Sequence, residues 1–240
     1  MISEQKTFMA LFLRPFFRKY LDGSFTRKIL LVPGNFDMTY PDLVAEPMQG
    51  IFNLDRAKAV FDGYEWIGYP FVPPTPFRPK DYEKMDDPDA PWPPQKSPSY
   101  IYSSDPMHPL TAVDPHVYLK GQGTIREDLA ALPIPEDYRR AIYVMHSPPY
   151  GTKLDMIQGG RFVGSRAIRS FIEARQPLLT LHGHIHESPA VSGGYLERIG
   201  ETLAVNPGQE LEVEGGRIRL HAVLFEAEDP EGTIRHTIFR

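Results

Sequence analysis

Cysteine is absent from the 240 residues of this chain. The absence excludes disulfides and thiolate metal sites, so any bound metal must use nitrogen and oxygen ligands. A surplus of basic residues is also missing, because 26 lysines and arginines stand against 31 acidic residues and give a net charge of −5. The chain therefore has no general basic field for nucleic acid.

Long uninterrupted apolar runs are missing as well. The most apolar amino-terminal stretch, 8–21, contains several basic residues and Pro15, so it predicts a helix packed on the protein and not a membrane span or a signal peptide. We therefore expect no membrane partner and a cytoplasmic location. The 41% hydrophobic content suits a single globular domain spanning 1–240.

The segment 181–187 reads Leu-His-Gly-His-Ile-His-Glu and follows the apolar run 177–180. If this segment is extended, side chains two residues apart point to the same side. His184 and His186 would then both reach one metal centre, with Gly183 allowing close approach of the backbone. A solvated histidine-rich loop is the other explanation of this segment alone.

Two more apolar runs end in a possible metal ligand. The run from Ile29 leads into Gly34-Asn35-Phe36-Asp37, and the run from Ala141 leads into His146 and a double proline. Taken singly, the first is typical of a turn and the second of a hydrogen-bonded strand end. Together they predict strands at 28–33, 141–146 and 177–182 that are neighbours in one sheet.

In this order, the three motifs Gly-Asn-x-Asp, His-x-Pro-Pro and Gly-His-x-His resemble the second half of the calcineurin-like metallophosphoesterase family, over roughly residues 25 to 210. The resemblance implies an α/β fold, a β-sandwich of two mixed sheets flanked by helices. It also implies that Asn35, His146 and His184 bind one divalent metal and His186 a second, with Mn, Fe or Zn as candidates. The implied reaction is hydrolysis of a phosphomonoester or phosphodiester, and the turn at 206–208 is expected to be architectural.

The family's earlier motifs, Asp-x-His and Gly-Asp-x-x-Asp, do not occur before Gly34. They would supply further ligands and the aspartate that bridges the two metals. We therefore expect the first strands of the fold to be missing, at most one bound ion, and impaired hydrolysis. A non-catalytic descendant that binds a ligand or partner is the alternative, and an unrelated histidine-rich metal protein leaves the other two motifs unexplained.

Phe36 is a second departure, because the family commonly has a histidine there that protonates the leaving group. General acid catalysis contributes typically about 10² to 10⁴-fold, and phenylalanine donates no proton. His182, His108 or His116 could replace that histidine; each is otherwise explained as a loop or strand-edge residue. Asp37, with no histidine to orient, is expected to pin the turn.

An insertion at about 70–115 carries 13 of the 25 prolines together with several aromatic residues. This composition predicts an ordered irregular loop that lies over the domain and forms one wall of a cleft. Helices are expected at 124–132, with a capping box from Thr124, and at 164–173, with Ser165 as the cap. A phosphate at that second helix start is the alternative to the cap, and Asp155, Arg161 and Arg166 are either cleft residues or solvated.

Overall fold

The computed structural model describes residues 2–22, 27–92, 98–104, 110–111, 114–209 and 219–239. The helices are α1 (Ile2–Phe8), α2 (Arg14–Leu21), α3 (Tyr40–Val44), α4 (Pro115–Lys120), α5 (Ile125–Ala131), α6 (Arg166–Arg175), α7 (Ser188–Ser192) and α8 (Pro230–Thr233). A π-helical segment, Met9–Leu13, joins α1 to α2, and a 3₁₀ turn lies at Tyr138–Arg140. The strands are β1 (Ile29–Leu31), β2 (Ile51–Asn53), β3 (Lys58–Phe61), β4 (Tyr64–Tyr69), β5 (Ile101–Tyr102), β6 (Leu110–Thr111), β7 (Ala141–Met145), β8 (Met156–Ile157), β9 (Arg161–Phe162), β10 (Leu179–Leu181), β11 (Leu196–Ile199), β12 (Thr202–Val205), β13 (Leu220–Leu224) and β14 (Arg235–Phe239).

The centre of the fold is a six-stranded mixed sheet in the order β11-β12-β10-β7-β4-β3. The four inner strands run parallel, while β11 and β3 pair antiparallel at the two edges. Strands β7 and β10 confirm two of the three predicted strands and their predicted adjacency. Their carboxyl ends meet at the same edge of the sheet, as parallel pairing requires.

Strand β7 alternates between two cores with the period of two expected for a strand. Tyr143 and Met145 face the core shared with α5 and α6, whereas Ile142 faces the opposite core. Helix α6 buries Ile168 on the first face, and its Phe171 ring lies 5.1 Å from the Tyr143 ring, edge to face. The sheet is therefore flanked by helices, as the predicted α/β class requires.

The opposite face of the sheet is covered by the segment that contains β13 and β14. Val223 and Phe225 pack against the core formed by Ile142, Leu179 and Leu203. In the described part of the chain, this second layer is an antiparallel two-stranded hairpin and not the second mixed sheet that the family resemblance implies.

The prediction that 28–33 lies beside the other two strands was wrong. Strand β1 pairs instead with β2, in parallel, in a separate two-stranded sheet. The reason is that the free edge of β4 is occupied by β3 through a tight hairpin at Asp62 and Gly63, both with positive φ. The link to the main sheet is Leu54, whose N–H donates to Leu31 O at 2.8 Å and whose backbone lies directly against Gly68 of β4.

The described parts of the proline-rich insertion are packed into the domain. Phe71 and Tyr82 join the core beneath the sheet, and the Lys80 ammonium is ion-paired to Glu83 at 2.7 Å with both side chains fully buried. The insertion is therefore an ordered layer over the described part of the domain. No helix in the described ranges is long and apolar enough to cross a bilayer.

Helix caps follow the sequence pattern. Thr124 and Glu127 form the predicted capping box at the start of α5. At α6 the Ser165 hydroxyl accepts from the N–H of Ile168 at 3.0 Å, which confirms the cap. The same helix start is also occupied by the buried Asp86 carboxylate, which accepts from the N–H of Arg166 at 2.6 Å, so the helix start is filled by the protein's own anion.

Candidate metal centre

The candidate centre lies at the edge of the sheet where β7 and β10 end. His146 directly follows β7, and a turn from Gly183 follows β10 after one further residue. The N–H of Gly183 donates to His146 O at 3.1 Å, which ties the two strand ends together. Both imidazoles of the centre are thus attached to neighbouring strands of one rigid sheet.

Asn35 brings the third donor atom. Its buried amide oxygen lies 3.2 Å from His146 Nε2 and 3.1 Å from His184 Nδ1. The two imidazole rings are 5.1 Å apart between centroids. The structure therefore brings together Asn35, His146 and His184, although β1 lies outside the main sheet.

The spacing of these three atoms fits a divalent cation. Metal–ligand distances for N and O donors are about 2.0 to 2.2 Å, which places neighbouring ligand atoms about 3.0 to 3.5 Å apart. The two measured separations from Asn35 Oδ1 fall within that range. Asn35 Nδ2 is buried without a hydrogen-bond partner among the described residues, so the amide is oriented by its oxygen alone.

The charge state of the imidazoles also suits a cation. Burial lowers the pKa of His146 well below its usual value, and the charges of His184, His186 and His182 lower it further. Burial, followed by repulsion from His186, lowers the pKa of His184 to about 4. Both rings are therefore neutral near pH 7, and a neutral imidazole nitrogen is the form that binds metal.

The turn that carries Asn35 is held by Asp37 and needs a glycine. The N–H of Gly34 donates to Asp37 Oδ2 at 2.7 Å, and the N–H of Asp37 donates back to Gly34 O at 3.0 Å. A Cβ at Gly34 would lie 3.1 Å from the His146 ring. The prediction that Asp37 pins this turn is confirmed, and Gly34 allows the turn to approach the imidazole.

The histidine segment is not extended, so the predicted alternation of side chains was wrong. His184 has φ +64°, a left-handed conformation that is uncommon for residues other than glycine. The N–H of Ile185 bonds to Gly183 O at 2.7 Å and closes a tight turn there. Strand pairing ends at Leu181, and the chain turns His184 toward Asn35.

Asn206, in the predicted architectural turn, holds this loop in place. Its side-chain amide donates to three carbonyls, those of Leu154 at 3.0 Å, Gly183 at 3.2 Å and Ile185 at 3.0 Å. Two of those carbonyls flank His184. The architectural assignment of this turn is confirmed, and its closeness to the centre is a feature that the sequence analysis did not identify.

His186 does not join the other three in direct contact. Its backbone carbonyl accepts from the N–H of Gln209 at 2.9 Å, and its ring acts on His146 and His184 through charge. Within the described ranges, no three histidine, aspartate or glutamate side chains are grouped so as to hold a metal ion. The convergent group consists of two imidazoles and one amide.

The proposed substitutes for a general acid lie elsewhere. His182 is buried, with Nδ1 2.8 Å from Ser147 O and Nε2 2.8 Å from the Thr180 hydroxyl. Both of its nitrogens are therefore used inside the sheet, which makes it a structural residue. His116 stacks on the Trp92 ring with centroids 3.5 Å apart, and His108 lies outside the described residues.

Phe36 lies at the rim of the centre. Its half-exposed ring meets Phe77 of the insertion edge to face, with centroids 5.2 Å apart. The insertion thus reaches the Asn35 turn and places an apolar pair beside it. This contact agrees with the expectation that the insertion forms one wall of a cleft.

Comparisons with known proteins define the fold and no more. No protein-family model and no curated protein matches the sequence. One solved crystal structure aligns with 100% of this chain and 76% of its own chain, at 20% identity and a TM-score of 0.55. The crystal structure of TT1561 of Thermus thermophilus aligns with 97% of this chain and 79% of its own, at 16% identity and a TM-score of 0.49. At such identities the likeness to the first structure indicates a shared fold alone.

Proposed function

We propose that this chain is a metallophosphoesterase-type domain that binds one divalent ion through Asn35, His146 and His184 and hydrolyses phosphoesters weakly. The observation that carries the proposal is the convergence of one amide oxygen and two neutral imidazole nitrogens, 3.1 and 3.2 Å apart, from three separate strand ends. The order of these strand ends along the chain matches the three motifs of the family.

A bound Mn, Fe or Zn ion would supply Lewis acidity toward a phosphoryl oxygen. The chain's own residues supply the rest. His146 and His184 stay neutral because of burial, and the turn of Gly34 and Asp37 orients the Asn35 amide. Phe36 and Phe77 form an apolar rim that sheds water from one side of the centre.

The weakness of the proposed activity follows from what surrounds the three donor atoms. No carboxylate of the described residues is hydrogen-bonded to His146 or His184. Two cations about 3.5 to 4 Å apart repel each other strongly unless a shared anion lies between them, so we expect a single ion. Phe36 also offers no proton to a leaving group.

A non-catalytic metal-binding domain is the second candidate, and Phe36 is the observation that favours it. In that case the centre would bind an ion and a ligand without turning over an ester. The two candidates agree about metal binding and differ only in turnover, so one set of variants tests both.

The test is metal analysis after chelation and reconstitution with Mn²⁺ or Zn²⁺, followed by assays with bis(p-nitrophenyl) phosphate. We expect one equivalent of metal per chain, lost in His146→Ala and His184→Ala and kept in His116→Ala, a matched histidine outside the centre. Turnover that disappears with the metal supports the hydrolase, and metal uptake with no turnover supports the second candidate. Two tightly bound equivalents, or retention of metal by both alanine variants, would contradict the proposed site.

A further inference from the structure

A second cavity lies between the proline-rich insertion and the loop that follows His146. Its volume is about 430 Å³, within the range of roughly 300 to 1,000 Å³ typical of small-molecule pockets. Pro73, Pro74 and Trp92 line it from the insertion, and Tyr150, Arg161 and Phe162 line it from the other side.

Three aromatic rings give this cavity flat apolar walls. Tyr150 and Phe162 meet edge to face with centroids 6.1 Å apart, and Trp92 is held on one side by the stacked His116 ring. Phe162 is 38% exposed although it sits on a short paired strand, β9. Rings held in this way stack on planar ligands, and such stacking is worth about 1 to 3 kcal/mol per nucleobase.

Two guanidinium groups give the cavity a positive side. The Arg166 guanidinium lies over the Tyr150 ring, 3.6 Å from its centroid, and Arg161 lies on the facing strand β9. Neither arginine is ion-paired to a carboxylate among the described residues. Of the described lining residues, only Asp86 carries a carboxylate, and that group is committed to the start of α6 through Ser165 and the Arg166 N–H.

The loop that lines the cavity is fixed and starts at the candidate metal centre. Tyr150 follows His146 by four residues, so their Cα atoms are at most about 14 Å apart. Asp155 is buried and accepts from the N–H groups of Thr152 at 2.8 Å and Gly164 at 2.8 Å. The cavity is therefore held in shape, and one ligand can reach from it toward the metal.

We infer that this cavity binds the aromatic group of an anionic substrate, with the ring among Trp92, Tyr150 and Phe162 and a phosphate at Arg161 and Arg166. The inference rests on the proposed function only in naming the ligand as part of a phosphoester substrate. Binding itself needs no metal, so the two can fail separately.

The test is calorimetric titration of the full chain in a chelator, with adenosine 5′-monophosphate, adenosine, inorganic phosphate and phenyl phosphate as probes. We expect the nucleotide to bind at least about tenfold more tightly than adenosine or phosphate alone, because charge-assisted contacts and stacking act together. Phenyl phosphate distinguishes a general aryl phosphate site, where it equals the nucleotide, from one that needs a nucleobase.

Variants locate the binding. Arg161→Gln and Arg166→Gln should each weaken nucleotide binding at least about fivefold toward the value for adenosine, while Arg235→Gln on β14 and the metal-site variant His184→Ala should leave it unchanged. Circular dichroism checks folding, and Arg161 serves if loss of the stacked Arg166 unfolds the loop. Equal affinity for all four probes, or nucleotide binding that survives both arginine substitutions, would overturn the inference.

Discussion

Asn206→Ala is expected to weaken metal binding by loosening the loop that carries His184. The Asn206 amide donates to the carbonyls of Leu154, Gly183 and Ile185. Leu154 O has no other donor among the described residues, whereas Gly183 O also accepts from Ile185 N at 2.7 Å and Ile185 O from the Ser188 hydroxyl at 3.1 Å. One carbonyl is thus orphaned and two are weakened.

The magnitude follows from that count. An orphaned buried acceptor costs about 1 to 3 kcal/mol and a weakened hydrogen bond about 0.5 to 1.5 kcal/mol, so the free energy of unfolding should fall by about 2 to 4 kcal/mol. Outer-shell substitutions typically cost about 10- to 100-fold in metal affinity. We expect the apparent affinity for Mn²⁺ or Zn²⁺ to fall within that range.

Urea denaturation in a chelator gives the stability change, and calorimetric metal titration gives the affinity. Asn53→Ala is a matched control, because the Asn53 side chain also forms hydrogen bonds, to Tyr40 and Asp55, but does not contact the His184 loop. If Asn206→Ala lowers stability as expected but leaves metal affinity unchanged, the loop does not position His184 for a cation.

Three further predictions concern the buried ion pair, the rim and pH. Lys80→Met or Glu83→Gln alone should lower the free energy of unfolding by about 3 to 5 kcal/mol, and the double variant should recover most of that loss; a double-mutant cycle in urea showing additive losses would refute this. Phe36→His should raise kcat/KM for alkyl phosphoesters more than for p-nitrophenyl esters, by up to about 10² to 10⁴-fold; an equal gain for all leaving groups would argue against a missing acid. Burial lowers the pKa of His182 from 6.5 to about 4, so the free energy of unfolding should fall as pH falls through that interval, because the unfolded chain takes up the proton first. His182→Gln should reduce the slope by about one proton, and an unchanged slope in urea titrations would contradict it.

Much of the candidate site could be predicted because its signals are local. The strands that end at Met145 and Leu181 are short apolar runs with an abrupt polar end, and parallel neighbours place such ends at one edge. The caps Thr124 and Ser165 were predictable for the same reason. Each depends on a few adjacent residues and on no distant partner.

The unpredicted features depend on contacts between distant residues. Strands β3 and β4 had no predicted counterpart, and their hairpin decides that β1 has no place in the main sheet. The left-handed His184 is held by Asn206, 22 positions later in the chain. A periodicity of two could not indicate that turn, because the turn depends on the Asn206 amide and not on the local pattern.

The insertion illustrates how a composition signal understates a structural role. Its prolines predicted an irregular segment, yet it supplies Phe77 to the rim at Phe36, Asp86 to the start of α6 and Trp92 to the second cavity. The candidate metal centre takes its three donor atoms from outside the insertion, whereas the cavity is half built from it. A change that loosens the insertion should therefore impair binding of an aromatic anion before it impairs binding of a metal ion, because only the cavity loses its walls.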